Sequence, residues 1–331
     1  MLLKSLGASG LSVSPIGLGL AALGRPGYIN VGHGEDLGSD RGQDAMERRA
    51  HLVLDCAYAR GVRYFDVARS YGLAEQFLAS WLASRTIPPL AVTVGSKWGY
   101  TYTADWRVDA PTHEVKEHSL PVFTRQLAES RAMLGKHLAL YQIHSATIES
   151  GVLANDSLID ALADARAAGL RIGLTVSGEG QSNTILRALD IHRSGDRVFD
   201  TVQATWNLLE RAAEDALSAA HAAGLGVIVK EALANGRLTG RATVDAASVH
   251  TRTLAREAER LTVSIDALAL ACALAQPWAD VVLSGATTVT QLESNLAASS
   301  IEVPDDTVDA LRAMAMGSTE YWRERSALPW N

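Results

Sequence analysis

Four side chains in this sequence are of the right types to work together as acid–base machinery. Asp66 closes the run Tyr64-Phe65-Asp66 and Tyr71 follows in Ser70-Tyr71-Gly72. Lys97 closes Val94-Gly95-Ser96-Lys97, and His144 closes Leu140-Tyr141-Gln142-Ile143-His144. A tyrosine phenol, with a pKa of about 10, is a poor acid near neutrality. A neighbouring ammonium favours the phenolate, and lowering the pKa by about three units corresponds to ~4 kcal/mol. A desolvated lysine needs a counter-charge, which a carboxylate supplies. A neutral imidazole donates a hydrogen bond to an oxygen on which charge is building. Taken singly, each residue has a duller use: a loop cap for Asp66, a satisfied surface or core position for Tyr71 and His144, a solvated charge for Lys97. Their placement at three successive strand ends is what argues for one site.

Those ends belong to a regular alternation along the chain. Strand-like apolar runs fall at 16–20, 63–66, 91–97, 138–144, 172–177, 201–204, 226–230 and 281–284. Most are continuously apolar, as parallel strands covered by helices must be. Between them lie Ala-rich amphipathic segments at 44–60, 73–82, 122–134, 157–168, 182–192, 213–223, 264–276 and 290–298. Gly61, Gly135, Gly169 and Gly224 stand where such helices end and the chain needs a positive φ. The alternation predicts an α/β fold, a single-domain (β/α)8 TIM barrel over residues 1–331, with catalytic groups at the C-terminal strand ends. A small hairpin around Gly7 and Gly10 precedes it. The stretch 25–44 is too long for a routine connection and reads as a lid or functional loop. The tail 314–331, with Tyr321, Trp322 and Trp330, is expected over the barrel mouth.

The patterns D-x-A-x-x-Y-G-x-x-E at 66–75, S-K-x-G at 96–99 and Y-Q-I-H at 141–144, in that order, closely resemble the catalytic tetrad of the aldo-keto reductase superfamily. The resemblance covers nearly the whole chain. It implies an NAD(P)H-dependent oxidoreductase moving a hydride between nicotinamide and the carbonyl or alcohol carbon of an aldehyde, ketone or aldose. It makes Tyr71 the general acid/base, Lys97 the group that lowers its pKa, Asp66 the partner of Lys97, and His144 the donor orienting the substrate oxygen. A carbonyl reductase and a sugar dehydrogenase are not separated by these residues. The rival reading is a nicotinamide-binding regulatory subunit with little turnover, against which the intact tetrad speaks.

The same resemblance assigns the cofactor half. Gly19 and Leu20 would lie under the nicotinamide, Asp66 would also reach the cofactor, and Ser177 and Gln203 would bind the carboxamide, with Gly178 where relatives carry Asn. Lys230 stands where an aromatic ring stacks on nicotinamide. Glu231, Leu233, Asn235, Gly236 and Arg237 form the pyrophosphate stretch, where backbone amides need close approach. Gly285, Ala286, Thr287, Gln291 and Asn295 belong to the adenosine-phosphate segment at a helix N-terminus. That segment has no Arg or Lys for a 2′-phosphate, so weak discrimination between NADP and NAD is expected, with NADP slightly favoured. Trp98, Tyr28 and Trp206 are expected on the substrate side, while the tail aromatics either join that rim or clamp the tail to the barrel.

Two motifs are decoys. Gly17-Leu18-Gly19-Leu20-Ala21-Ala22 fits a dinucleotide fingerprint, but Arg25-Pro26-Gly27 follows in place of a helix start. His113 and His118 are five apart and diverge around a helix, so no metal site is expected. The net charge of −7, without a Lys/Arg cluster, disfavours nucleic acid. With 47% hydrophobic and 20% charged residues the chain can bury a large core. Cys56 and Cys272 sit among apolar helical residues and read as thiols of a reducing compartment. The start lacks a signal-like apolar run, and the stretch 267–275 is too short to span a bilayer. A cytoplasmic protein with a small-molecule partner, and neither membrane nor nucleic acid, is the expectation.

Overall fold

Eight apolar runs pair in parallel and in sequence order: Ile16–Gly19, Tyr64–Asp66, Thr93–Trp98, Leu138–Ala146, Arg171–Val176, Thr201–Thr205, Gly226–Lys230 and Val281–Ser284. The eighth strand returns to the first, with Val282 opposite Ile16, and the sheet closes into a barrel. The computed structural model describes residues 1–241 and 249–331. The expected (β/α)8 TIM barrel is what these residues form. Strands covered on both faces favour apolar residues on either side, which is why most of the runs are nearly continuous.

Helices Gln43–Ala59, Ala74–Ser84, Leu120–Leu134, Asp156–Ala167, Gln181–Leu189, Glu214–Ala222, Ile265–Leu274 and Val289–Ala297 cover the outside. Four start on a side-chain cap: Ser119, Asn155, Ser264 and Thr288 each accept from the amide three residues on. Beneath the barrel, the hairpin of Lys4–Ser5 and Ser12–Val13 turns through Gly7, whose φ is +51°. A Cβ there would lie 2.4 Å from the Gly226 amide nitrogen, so only glycine lets the hairpin plug the barrel floor.

Among the described residues, the helices His33–Leu37, Val249–Leu261, Asp305–Arg312 and Ser318–Ser326 fall outside the predicted alternation. Tyr321 and Trp322 of the last are buried with Leu208, Leu209 and Leu311, clamping the tail to the barrel. Residues 25–44 carry a short helix, His33–Leu37. The stretch with His113 and His118 includes a strand, Glu114–Lys116, paired with Tyr100–Tyr102. Among the described residues, no helix is long and apolar enough to cross a membrane.

Candidate active site

The second strand ends on Asp66, 2% exposed, with every carboxylate oxygen engaged. Oδ1 is ion-paired to Lys97 Nζ; Oδ2 accepts from Gln203 Nε2 at 2.8 Å and from the Tyr64 hydroxyl at 3.2 Å. Lys97 Nζ also donates to the Val67 carbonyl at 3.1 Å and lies over the Tyr71 ring, 4.7 Å from its centre. Burial lowers the pKa of Lys97, and the Asp66 carboxylate opposes that shift.

Tyr71 is fixed by a tight contact between two loops. Leu73 N donates to the Gly24 carbonyl at 2.8 Å, and a Cβ on Gly72 would meet that same oxygen at 2.4 Å. Gly24 is as constrained, since its own Cβ would strike the Tyr71 carbonyl at 2.3 Å. Burial first, then the Asp66 carboxylate, pushes the Tyr71 phenol well above its ordinary pKa, with Arg25 opposing. This corrects the expectation that Lys97 lowers it. The ammonium is bonded directly to a carboxylate, which cancels part of its positive field at the phenol, and desolvation prevails.

His144 comes from the fourth strand, which shifts register between Ile143 and Ala146 as Ser145 adopts a φ of +51°. Such a bulge re-aims neighbouring side chains. The His144 ring meets Tyr71 edge-on at 5.4 Å, and its Nδ1 lies 3.4 Å from Ser70 Oγ. Burial, followed by the charges of Lys97, Lys230 and Arg25, holds its pKa well below 6.5 and keeps the imidazole neutral. His118 Nε2 bonds the His144 carbonyl at 2.9 Å, and His113 stacks on Trp330. Among the described residues, no group of three or more His, Cys, Asp or Glu gathers to hold a metal ion.

These groups open on a cavity of about 670 Å³, within the ~300–1,000 Å³ usual for small-molecule sites. Asp66, Tyr71 and His144 line it, and so do Gly19, Ser177, Gln203, Lys230, Glu231, Leu233, Asn235 and Gly236. Gly285, Ala286, Thr287, Gln291, Asn295 and Tyr28 complete the predicted residues on its wall. Lys230 Nζ donates to Thr205 Oγ1 at 2.8 Å, and burial pulls its pKa down to about 8 against the pull of Glu231. Burial alone would raise Glu231, but Arg325 and then Lys230 take it down to about 2. Arg325 Nε and Nη2 bracket that carboxylate at 2.9 and 2.5 Å. Asn295 is spoken for: it accepts from Ser284 Oγ and donates to Asp266, both at 2.7 Å.

Besides Lys97, which does not itself line the cavity, five predicted positions lie elsewhere. Trp98 is fully buried against Phe123 and His118, and Trp206 packs edge-on to Trp278, so neither lines the cavity. The substrate-side expectation for both is corrected. Leu20 is sealed in the core, Gly178 sits in a turn with a φ of +88°, and Arg237 pairs with Glu324 of the tail helix at 3.0 Å; none is on the cavity wall.

Sequence reasoning passed over Arg25, His33, Asp36, Glu114 and Arg325, all on the wall. Trp330, which it placed among the tail aromatics, is there too. Arg25 is packed among the rings of Tyr28, Tyr71 and Trp330 and paired with Glu114 at 3.1 Å. Three of these, Arg25, His33 and Asp36, lie in the 25–44 loop, whose length was the available signal.

The sequence pattern of the Aldo/keto reductase family matches residues 15–315, and the chain belongs to that family. Its members are oxidoreductases that use nicotinamide cofactors on small carbonyl compounds. The chain is 26% identical over 303 residues to the uncharacterized oxidoreductase YrpG of Bacillus subtilis (strain 168), covering 83% of itself and 90% of that protein. For YqkF of the same organism the identity is 24% over 329 residues, with 94% and 95% covered. In fold it is similar to aldo-keto reductase AKR11C1 from Bacillus halodurans in its holo form, at a TM-score of 0.74 and 22% identity, covering 96% of this chain and 97% of that one.

Proposed function

We propose that this protein transfers a hydride between a nicotinamide dinucleotide and the carbonyl or alcohol carbon of a small aldehyde, ketone or sugar, with Tyr71 as general acid/base. The observation that carries the reading is the meeting of Asp66, Tyr71, Lys97 and His144 at one end of a dinucleotide-sized cavity. The cavity wall fits such a cofactor. Asn235 Oδ1 and both His33 ring nitrogens are buried on it without a protein partner, and a Cβ on Gly285 would meet open space. Ser177 and Gln203 would hold the carboxamide, the 231–236 turn the pyrophosphate, and Thr287 and Gln291 the adenosine end.

A bound nicotinamide supplies the hydride when reduced and takes it when oxidised. The protein moves the proton. Tyr71, kept protonated by its surroundings, donates from its hydroxyl to the carbonyl oxygen as charge builds there, and takes the proton back in the reverse direction. The Lys97 ammonium over its ring steadies the phenolate, and Asp66 keeps that lysine charged against burial. With Nδ1 beside Ser70, neutral His144 has Nε2 available to hold the substrate oxygen. Arg25, Tyr28 and Trp330 enclose the substrate side. A cytoplasmic location fits the two free thiols, Cys56 and Cys272.

The test is oxidation of NADH or NADPH with an aromatic aldehyde, followed by Tyr71→Phe. The expected outcome is turnover that falls at least about a thousandfold in the variant while dinucleotide still binds. Undiminished turnover would remove the assignment.

A further inference from the structure

At the strand-eight end of the cavity a carboxylate stands where phosphate chemistry would call for a cation. Asp36, from the short helix in the first loop, accepts a hydrogen bond from Gln291 Nε2 at 2.7 Å through Oδ2. The Thr287 hydroxyl lies 3.4 Å from the same oxygen. Oδ1 is ion-paired to Arg241 Nη2, and Arg241 Nη1 donates to the Gly32 carbonyl at 3.0 Å. The two partners are unequally placed. The Asp36 side chain is 8% exposed and that of Arg241 41%, so the carboxylate is the buried partner and the guanidinium the more solvent-exposed one.

The other charges on the wall do not offset it. Arg25 is committed to the Tyr71 side, and Lys230 and Arg325 flank Glu231. His33, on the same loop, is held neutral by burial, its pKa pulled down to about 4. Asp266 also lines this end, donated to by Asn295, and adds negative charge.

We propose that Asp36 selects the nucleotide: its carboxylate accepts from the ribose hydroxyls of the adenosine and repels a 2′-phosphate, making NAD(H) the preferred cofactor. The inference rests on the proposed function, which brings the adenosine to Thr287 and Gln291. A ribose diol offers two donors to a carboxylate, whereas a phosphate offers only acceptors and up to two negative charges. Other dinucleotide folds use the same chemistry, an acidic side chain at the 2′-hydroxyl for NAD and an arginine for NADP.

The experiment is titration of the full chain with NADH and with NADPH, following nicotinamide fluorescence, for the wild type, Asp36→Asn and Asp36→Glu. The wild type is expected to bind NADH at least about tenfold more tightly. Asp36→Asn removes charge at nearly constant shape and is expected to shrink that ratio by about tenfold, mostly through tighter NADPH binding. Asp36→Glu, which keeps the charge, retains the NADH preference. Wild-type protein that binds NADPH as tightly as NADH, or an Asp36→Asn variant that weakens both equally, overturns the role of Asp36 alone. Absence of binding by either dinucleotide overturns the proposed function with it.

Discussion

Gln203 Nε2 donates to Asp66 Oδ2 at 2.8 Å, tying the sixth strand to the second across the barrel mouth. The carboxylate that steadies Lys97 is thereby held from a third direction, after Tyr64 and Lys97 themselves. Asp66→Asn removes the charge that opposes burial of the lysine, so the ammonium is lost along with its field at Tyr71. Carbonyl reduction is expected to slow about a hundredfold or more. Lys97→Met should lose a similar amount, and the double variant no more than either alone, since the two residues act as one unit. Losses that multiply would show that they act independently.

The pH dependence follows from two shifts of opposite sign. The Tyr71 phenol is raised above its usual value, so it stays protonated through neutrality and beyond. His144 is depressed, so acidification to about pH 6 does not charge it. Reduction should therefore show no histidine-like fall near that pH. Alcohol oxidation, which needs the phenolate, should climb by about tenfold per pH unit up to about pH 9. Steady-state kcat profiles in both directions check this, and an oxidation rate flat across the range would contradict it.

Lys230 titrates in the same window, losing its charge as pH rises through about 8. The proposed function brings the nicotinamide against Lys230, and an ammonium there would disfavour the positively charged oxidised ring. Affinity for the oxidised dinucleotide should rise several-fold across that pH while affinity for the reduced form changes little. Calorimetric titrations at two pH values measure it. In Lys230→Met the difference should vanish.

The Glu231–Arg325 pair joins the strand-seven loop to the tail helix, with side chains 10% and 24% exposed. Breaking a buried pair typically costs ~3–5 kcal/mol. Because the arginine is partly solvated, Arg325→Ala is expected to lower unfolding stability by about 2–3 kcal/mol at neutral pH. The folded pKa of Glu231 is depressed from 4.5 to about 2. The pair's contribution is thus present above the unfolded value and lost as pH falls through the folded one. Urea midpoints at both ends of that range should converge in acid.

The barrel was legible because most of its buried parallel strands are dominated by apolar residues, so their runs stand out from 16 to 284. The extra helices escaped notice because Val249–Leu261 and Asp305–Arg312 lie outside the strand–helix rhythm and are rich in charge. Trp98 was misplaced for a reason visible in hindsight. Neighbouring residues of a strand face opposite sides, so with Lys97 turned into the barrel mouth, Trp98 must enter the helix layer and meet Phe123. Asp36 had no such pattern to aim it. It sits on an irregular loop whose path is set by contacts with Arg241, Gln291 and Asn235, none near it in sequence.

Those contacts bind the loops after strands one, seven and eight to one another, and the Asp36–Arg241 link among them is half open to water. Ionic strength then becomes a kinetic handle on this enzyme. Added salt screens an exposed guanidinium far more than a sealed one, so it should hasten exchange of the nucleotide at the clasp. The proposed chemical step rests on Lys97, which is 1% exposed, and should not feel the salt.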